Sequence, residues 1–319
     1  MICATNSFSH PFPVPKTKPW KSGKPIMTLI AGAVCRDGVL LACDSQTTSG
    51  DTKSLETIKI TIVQFGDLPV LIGEAGFADF SGEAIRIFQN KALDFVTATR
   101  DDIERAATMA VRQVVNDQHE MCKYLSAEEW DRYRTANMDF ELLFAYWYDG
   151  KYRIFKIRPR SCIVCPAKLY FETAGSGGNL AGLLINEYMK EGMTTDFASL
   201  LMAYVIEKVK KYDHYCGGLT RLAAIQLVPD SPFPGEDQGK PMARFLPEEE
   251  IASLCRIAAE VENETKPERD RQLLTKLREK QLKELSEGLS AHWSEDPNLK
   301  LIPPSELKNL LPPDENQET

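Results

Sequence analysis

Thr28, Asp44 and Lys59 are the residues whose types and spacing could do chemistry together. A threonine hydroxyl is a poor nucleophile and needs a base. A threonine that heads a chain carries its own, because its α-amine can take the hydroxyl proton through one water. The ordinary pKa of an α-amine, about 7.7–8.0, leaves a useful fraction unprotonated near neutrality. A lysine ammonium close by raises that fraction, and Asp44 would balance the lysine where both leave water. General-base help of this kind contributes roughly 10²–10⁴-fold. Each residue also has a plain reading: a threonine at a strand start, an Asp44-Ser45 turn, a solvated lysine. Met27 stands before Thr28, so the chemistry requires Thr28 to become a first residue. Translation from Met27, followed by loss of that methionine, would expose it.

The elements that must bring these residues together are legible in the pattern. Residues 29–34 and 39–43 are apolar runs flanking Arg36-Asp37-Gly38. Asp-Gly between β-rich runs predicts a hairpin, because both residues tolerate positive φ. Folding back places Thr28 and Asp44 at the same end of the strand pair. Two more strands are predicted at 60–65 and 70–73. A helix is predicted at about 79–97, with Phe80, Ala84, Ile85, Ile87, Phe88 and Leu93 on one stripe, and another at about 101–125. Strands return at 139–148 and 151–157, hinged at Asp149-Gly150, and at 168–174. Helices at about 180–191 and 195–212 and a strand at 222–228 complete the order. Sheets with paired helices outside them bury one face of every element.

Two further blocks bear on the chemistry: Gly175-Ser176-Gly177-Gly178-Asn179 and Asp213-His214-Tyr215-Cys216-Gly217-Gly218. The first precedes a helix, yet it satisfies neither GxGxxG nor GxxxxGK[ST], which argues against a nucleotide site. Together with Thr28, Gly38, Asp44, Ser45, Thr48, Gly50 and, after a one-residue deletion, Lys59, these blocks resemble the catalytic β-type subunits of the proteasome and the bacterial HslV peptidase. Both are N-terminal-nucleophile hydrolases. The likeness runs from residue 27 to 228, with its blocks in order.

That resemblance implies an α+β fold, the four-layer αββα sandwich of the proteasome-like hydrolases, here with a C-terminal helical extension. It implies Thr28 as nucleophile, Asp44 as its orienting carboxylate and Lys59 as electrostatic tuner. Ser176 would lie beside the threonine amine, with Asp213 supporting it. The family serine three residues after that aspartate is Cys216 here, and a thiol is a weaker donor and acceptor than a hydroxyl. A backbone oxyanion donor falls on Ala75, with Gly76 next. The implied activity is a threonine-type endopeptidase acting through an acyl ester, without cofactor or metal, in a cytoplasmic homo-oligomeric ring. Its substrates would be peptides, or unfolded polypeptides delivered by an ATP-dependent unfoldase.

Composition sets the outer limits. Hydrophobic content of 43% and charged content of 26% are ordinary for a globular protein. A net charge of −8 without a concentrated basic patch argues against nucleic-acid binding. No apolar run approaches the roughly 18 residues of a membrane span. Residues 1–26 carry four lysines, no acid and five prolines, and read as a disordered leader or a mis-assigned start. Residues 27–230 read as the catalytic domain. The breaker cluster at 229–235 then opens a charged helical extension at 231–319, with a proline-rich tail. Cys162 and Cys165 form a lone CxxC in a strand-like stretch, which would send the two side chains to opposite faces; buried free thiols are expected, as for Cys43. His214 is expected to pack. Two rival readings share these residues: a non-catalytic ring or scaffold protein with an unprocessed N-terminus, and a small-molecule amidohydrolase that forms no ring.

Overall fold

The computed structural model describes residues 28–49, 52–167, 169–227 and 239–264. The leader at 1–26, Met27, Gly50, the 229–235 cluster and the extension beyond 264 lie outside the described residues.

The first hairpin forms as its sequence demands. β1 (Ile30–Val34) and β2 (Gly38–Asp44) pair antiparallel with Ile30 opposite Cys43 and Val34 opposite Val39. Its turn, however, does not use positive φ at Asp37 or Gly38. The Asp37 carboxylate instead accepts the Thr195 backbone N–H at 2.8 Å and its hydroxyl at 2.9 Å, tying the turn to a helix start. The second Asp-Gly pair behaves as the pattern predicts, with φ of 49° at Asp149 and 71° at Gly150.

β3 (Thr47–Ser49) and β4 (Thr52–Ser54) make a short ribbon. β5 (Ile60–Phe65) and β6 (Leu68–Gly76) lead into α1 (Ala78–Ala92), α2 (Arg100–Met121) and α3 (Ala127–Asn137). Strands return as β7 (Phe140–Tyr148), β8 (Lys151–Ile157), β9 (Cys165–Pro166) and β10 (Phe171–Ala174). Then come α4 (Gly178–Tyr188), α5 (Thr195–Tyr212), β11 (Thr220–Leu227), β12 (Pro241–Phe245) and α6 (Glu248–Glu264).

The result is a mixed α/β architecture with two five-stranded antiparallel sheets, ordered β10-β1-β2-β11-β12 and β5-β6-β7-β8-β9. Every residue of β2 is buried, because β1 and β11 flank it and the facing sheet covers one side. Ile30 of β1 and Leu41 and Cys43 of β2 meet Leu71, Leu143 and Ala145 of the second sheet in one apolar core. A second core joins Ile72, Phe144 and Phe155 to Ile85, Phe88, Ile103 and Ala107 of α1 and α2. α4 and α5 lie against the first sheet.

Several elements depart from the expected order, each for a physical reason. The first helix stops at Ala92 because Thr99 opens the next one, accepting the Asp102 N–H while Asp102 receives the Thr99 N–H. α3 has little apolar periodicity, and its start is marked only by the same device at Ser126 and Glu129. β3, β4, β9 and β12 are too short or too polar to stand out as runs. The CxxC reading is corrected: residues 162–164 form no strand, Cys162 takes a φ of 48°, and Cys165 is exposed on the edge strand β9. A left-handed residue cannot continue a strand. Cys43 is fully buried as expected.

Candidate active site

Asp44 ends β2 at the floor of the site, fully buried. Its Oδ1 accepts the Thr28 hydroxyl at 3.0 Å, the Leu29 N–H at 2.9 Å and the Lys59 ammonium at 2.7 Å. Its Oδ2 accepts the Gly217 N–H at 3.0 Å. Lys59 is 4% exposed and also donates to the Thr28 Oγ1 and to the Gln46 carbonyl. The hydroxyl of Thr28 therefore sits between an ammonium and a carboxylate, all three out of water. An ion pair so placed pays a desolvation cost that only this density of hydrogen bonds offsets. Lys59 is fixed from the other side as well, since its carbonyl accepts the Glu74 N–H at 2.9 Å.

The Gly175–Gly178 turn reaches the same place. Gly175 has a φ of 87°, and a Cβ there would lie 2.0 Å from the Thr28 carbonyl oxygen, so only glycine lets the turn close on the Thr28 backbone. Its N–H donates to Glu141 Oε2 at 2.8 Å, and the other Glu141 oxygen pairs with Arg158. Ser176 donates to Asp213 Oδ2 at 3.3 Å, and Asp213 Oδ1 accepts the Tyr215 N–H at 3.0 Å. Cys216 Sγ stands 3.6 Å from Asp213 Oδ2. Burial, reinforced by the charges of Asp44 and Asp213, pushes the Cys216 thiol far up, so it remains a thiol at neutral pH. The same loop is stitched to the end of β2: the Ser45 and Gln46 N–H groups donate to the Gly217 carbonyl at 3.2 and 3.0 Å. The His214 ring packs 3.7 Å from that of Tyr215.

Ala75 and Gly76 end β6 beside this group. Gly76 has a φ of 99°, and a Cβ on it would lie 2.2 Å from the Asp139 carbonyl oxygen. It borders two spaces. One is a cavity against Thr28 and Lys59 that leaves about 20 Å³ open to the centre of a water molecule, lined also by Thr47, Thr57, Glu74 and Ser81. The other is a cleft of about 500 Å³ bordered by Ala75, Glu141, Arg158, Gly175, Ser176 and Asn179. The structure thus brings Thr28, Asp44, Lys59, Ser176, Asp213, Cys216, Ala75 and Gly76 into one neighbourhood.

Sequence reasoning passed over Glu74 and Glu141. Each is a lone acid in an otherwise apolar strand, LPVLIGEAG and FELLFAYWY. An acid in such a run must find a partner or a site, and that signal was available. Among the described residues no group of three or more His, Cys, Asp or Glu side chains could hold a metal ion, and no helix is long and apolar enough to cross a membrane.

No protein-family model matches the chain, and no curated protein is similar to it in sequence. Solved structures do share its fold. An Anbu (Gly-1) mutant from Hyphomicrobium sp. strain MC1 matches at 15% identity and a TM-score of 0.55, covering 74% of this chain and 95% of that one. Anbu from Yersinia bercovieri, described as an ancestral beta-subunit, matches at 15% identity and a TM-score of 0.52, covering 86% of this chain and all of that one. These findings overturn the assignment to the proteasome β-type and HslV-like peptidase family. The similar structures are Anbu proteins, and no family model or curated relative supports the HslV-like reading.

Proposed function

We propose that the chain is an N-terminal-nucleophile hydrolase that cleaves amide bonds in peptides, with Thr28 as nucleophile. One observation carries the reading: the Thr28 hydroxyl lies buried between the Lys59 ammonium and the Asp44 carboxylate. In this mechanism the freed Thr28 α-amine takes the hydroxyl proton through a water, and Oγ1 attacks the scissile carbonyl. Backbone N–H groups at Ala75 or Gly76 stabilise the oxyanion. The amine leaving group takes the proton, an acyl ester remains, and a second water releases the acid and restores the hydroxyl. Lys59 stabilises the alkoxide as it develops, Asp44 holds Lys59 and Thr28 in place, and Ser176, Asp213 and Cys216 fix the turn beside the amine.

The reading extends to the molecule. Residues 27–230 would form the catalytic domain as a four-layer αββα sandwich, with β12 from beyond that boundary completing one sheet, supported by α1 and α2 packing outside one sheet and α4 and α5 outside the other. Residues 1–26 would be removed or never made, and residues 231–319 would serve as an extension. The chain would work in the cytoplasm as a homo-oligomeric ring on peptides or on polypeptides from an unfoldase.

Intact-mass measurement on natively expressed protein is expected to give a chain that begins at Thr28. That protein should hydrolyse fluorogenic peptides, and Thr28→Ala should abolish turnover while the protein stays folded. A chain that retains Met27, or a Thr28-headed protein without turnover, overturns the enzyme in favour of the scaffold reading. Met27 in the sequence is the observation that keeps that second reading in view.

A further inference from the structure

The chain crosses from one sheet to the other at a distance from Thr28, and a pocket lies at the crossing. β9 ends at Pro166 in the second sheet, and β10 begins at Phe171 in the first. β9 pairs only with Phe155 and Lys156 of β8, and the Ala167 N–H donates to the Ile154 carbonyl at 3.0 Å. Past that point no described strand lies beside β8 on this side, and Arg153 stands at the gap. The pocket there holds about 260 Å³, the liquid volume of about nine water molecules at about 30 Å³ each. Val34, at the far end of β1, borders it, about 20 Å from Thr28 at roughly 3.3 Å per strand residue.

The polar groups of this pocket are engaged elsewhere, with one exception. Arg100 donates to Glu104 from Nε at 2.7 Å and from a terminal nitrogen at 3.4 Å, and the Tyr146 hydroxyl donates to Glu104 Oε1 at 3.1 Å. The Tyr152 hydroxyl donates to the Asp37 carbonyl at 3.1 Å and accepts the Leu227 N–H at 3.3 Å. The Tyr170 hydroxyl donates to Glu191. Arg153 is the exception. It lies opposite Tyr146 of β7, its Nε is buried without a hydrogen-bond partner, and among the described residues no carboxylate pairs with it. Glu104 answers Arg100, so one positive charge of the lining is left unanswered. A guanidinium nitrogen out of water without an acceptor is costly, and its planar fork matches a carboxylate. Val34, Ile154, Phe155, Ala167 and Leu169 supply apolar walls around it. A dianion would bring one charge too many beside Glu104, whereas a monocarboxylate with a short apolar body matches both the charge and the walls.

We propose that this pocket binds a small monocarboxylate with an apolar body, the carboxylate held by Arg153. Thr28 takes no part in the site, so it stands or falls apart from the hydrolase reading. Isothermal titration calorimetry on the full chain tests it with three probes: 3-phenylpropionate, its uncharged amide 3-phenylpropanamide, and inorganic phosphate. Wild type is expected to bind the acid about tenfold or more tightly than either of the others, the scale of one charge-assisted pair. Arg153→Gln should lose that margin, and Arg153→Lys, which keeps the charge without the fork, should retain part of it. The comparison of acid with amide needs no variant, so it decides the matter even where a substitution disturbs folding. Wild type that binds acid and amide equally, or neither, overturns the proposal. Phosphate bound as tightly as the acid overturns it too, because the apolar walls would then contribute nothing. An Arg153→Gln protein that keeps the wild-type affinity for the acid would place the ligand elsewhere, and that result is equally fatal.

Discussion

At the level of single residues, the pairing of Lys59 with Asp44 bears on stability and, in the proposed hydrolase, on reactivity. Both side chains are almost wholly out of water, at 4% and 0% exposure. Removing one partner leaves the other as a buried, uncompensated charge, which costs about 3–5 kcal/mol. Lys59→Met is therefore expected to lower the urea midpoint strongly with an unchanged m-value and to reduce kcat by roughly 10²–10⁴-fold. Asp44→Asn combined with Lys59→Met should be more stable than Lys59→Met alone, because no lone carboxylate remains. A double variant no better than the single one would mean that the pair is not what holds this site, a comparison that double-mutant cycles resolve. Cys216 belongs at this scale too. Its thiol is held protonated by burial and by the neighbouring carboxylates, so it supports Asp213 as a weak donor and offers no thiolate of its own.

Turns, more than strands, position Thr28. The first hairpin brings Leu29 against Asp44, with the Asp44 N–H donating to the Leu29 carbonyl at 3.3 Å, and that meeting was legible from two apolar runs and an Asp-Gly. The Gly175 turn was legible as a motif whose glycines allow close approach to the threonine, yet its particular contact with the Thr28 carbonyl was not, because that depends on how separate elements approach. Gly175→Ala tests it. A Cβ at 2.0 Å from that oxygen in a left-handed backbone must move either the turn or Thr28. Strain of this kind costs about 1–3 kcal/mol, and a shift of about 1 Å at a nucleophile costs on the order of 10² in rate. Circular dichroism should report a folded protein while kcat falls about a hundredfold. Full activity in Gly175→Ala would remove the turn from the machinery. Glu141 went unread for a related reason. One oxygen holds Gly175 and the other pairs with Arg158; the lone acid in an apolar strand signalled that Glu141 has a partner, and the sequence does not say which.

For the whole molecule, the order of strands and helices was legible because sheet faces and helix stripes bury apolar residues at regular intervals. The short pieces were not, since β12 is placed by pairing with β11 and packing Ala243 on the core, and α3 by its capping residues and by Trp130 and Tyr133 against the other core. Family membership was the least legible property. Motif spacing speaks for the geometry around one threonine and not for the whole chain, which shares its fold with Anbu structures at 15% identity. The same reasoning bears on assembly. A peptidase that excludes folded proteins needs an enclosure, and a single chain whose 500 Å³ cleft, bordered by Gly76, Gly175 and Ser176, is open supplies none by itself. Light scattering on the Thr28-headed protein is expected to give a particle several times the mass of one chain, with peptide turnover confined to that peak. Turnover in a monomer peak would instead mean that the cleft serves small amides in free solution, because nothing around it would then bar a folded protein or select an unfolded one.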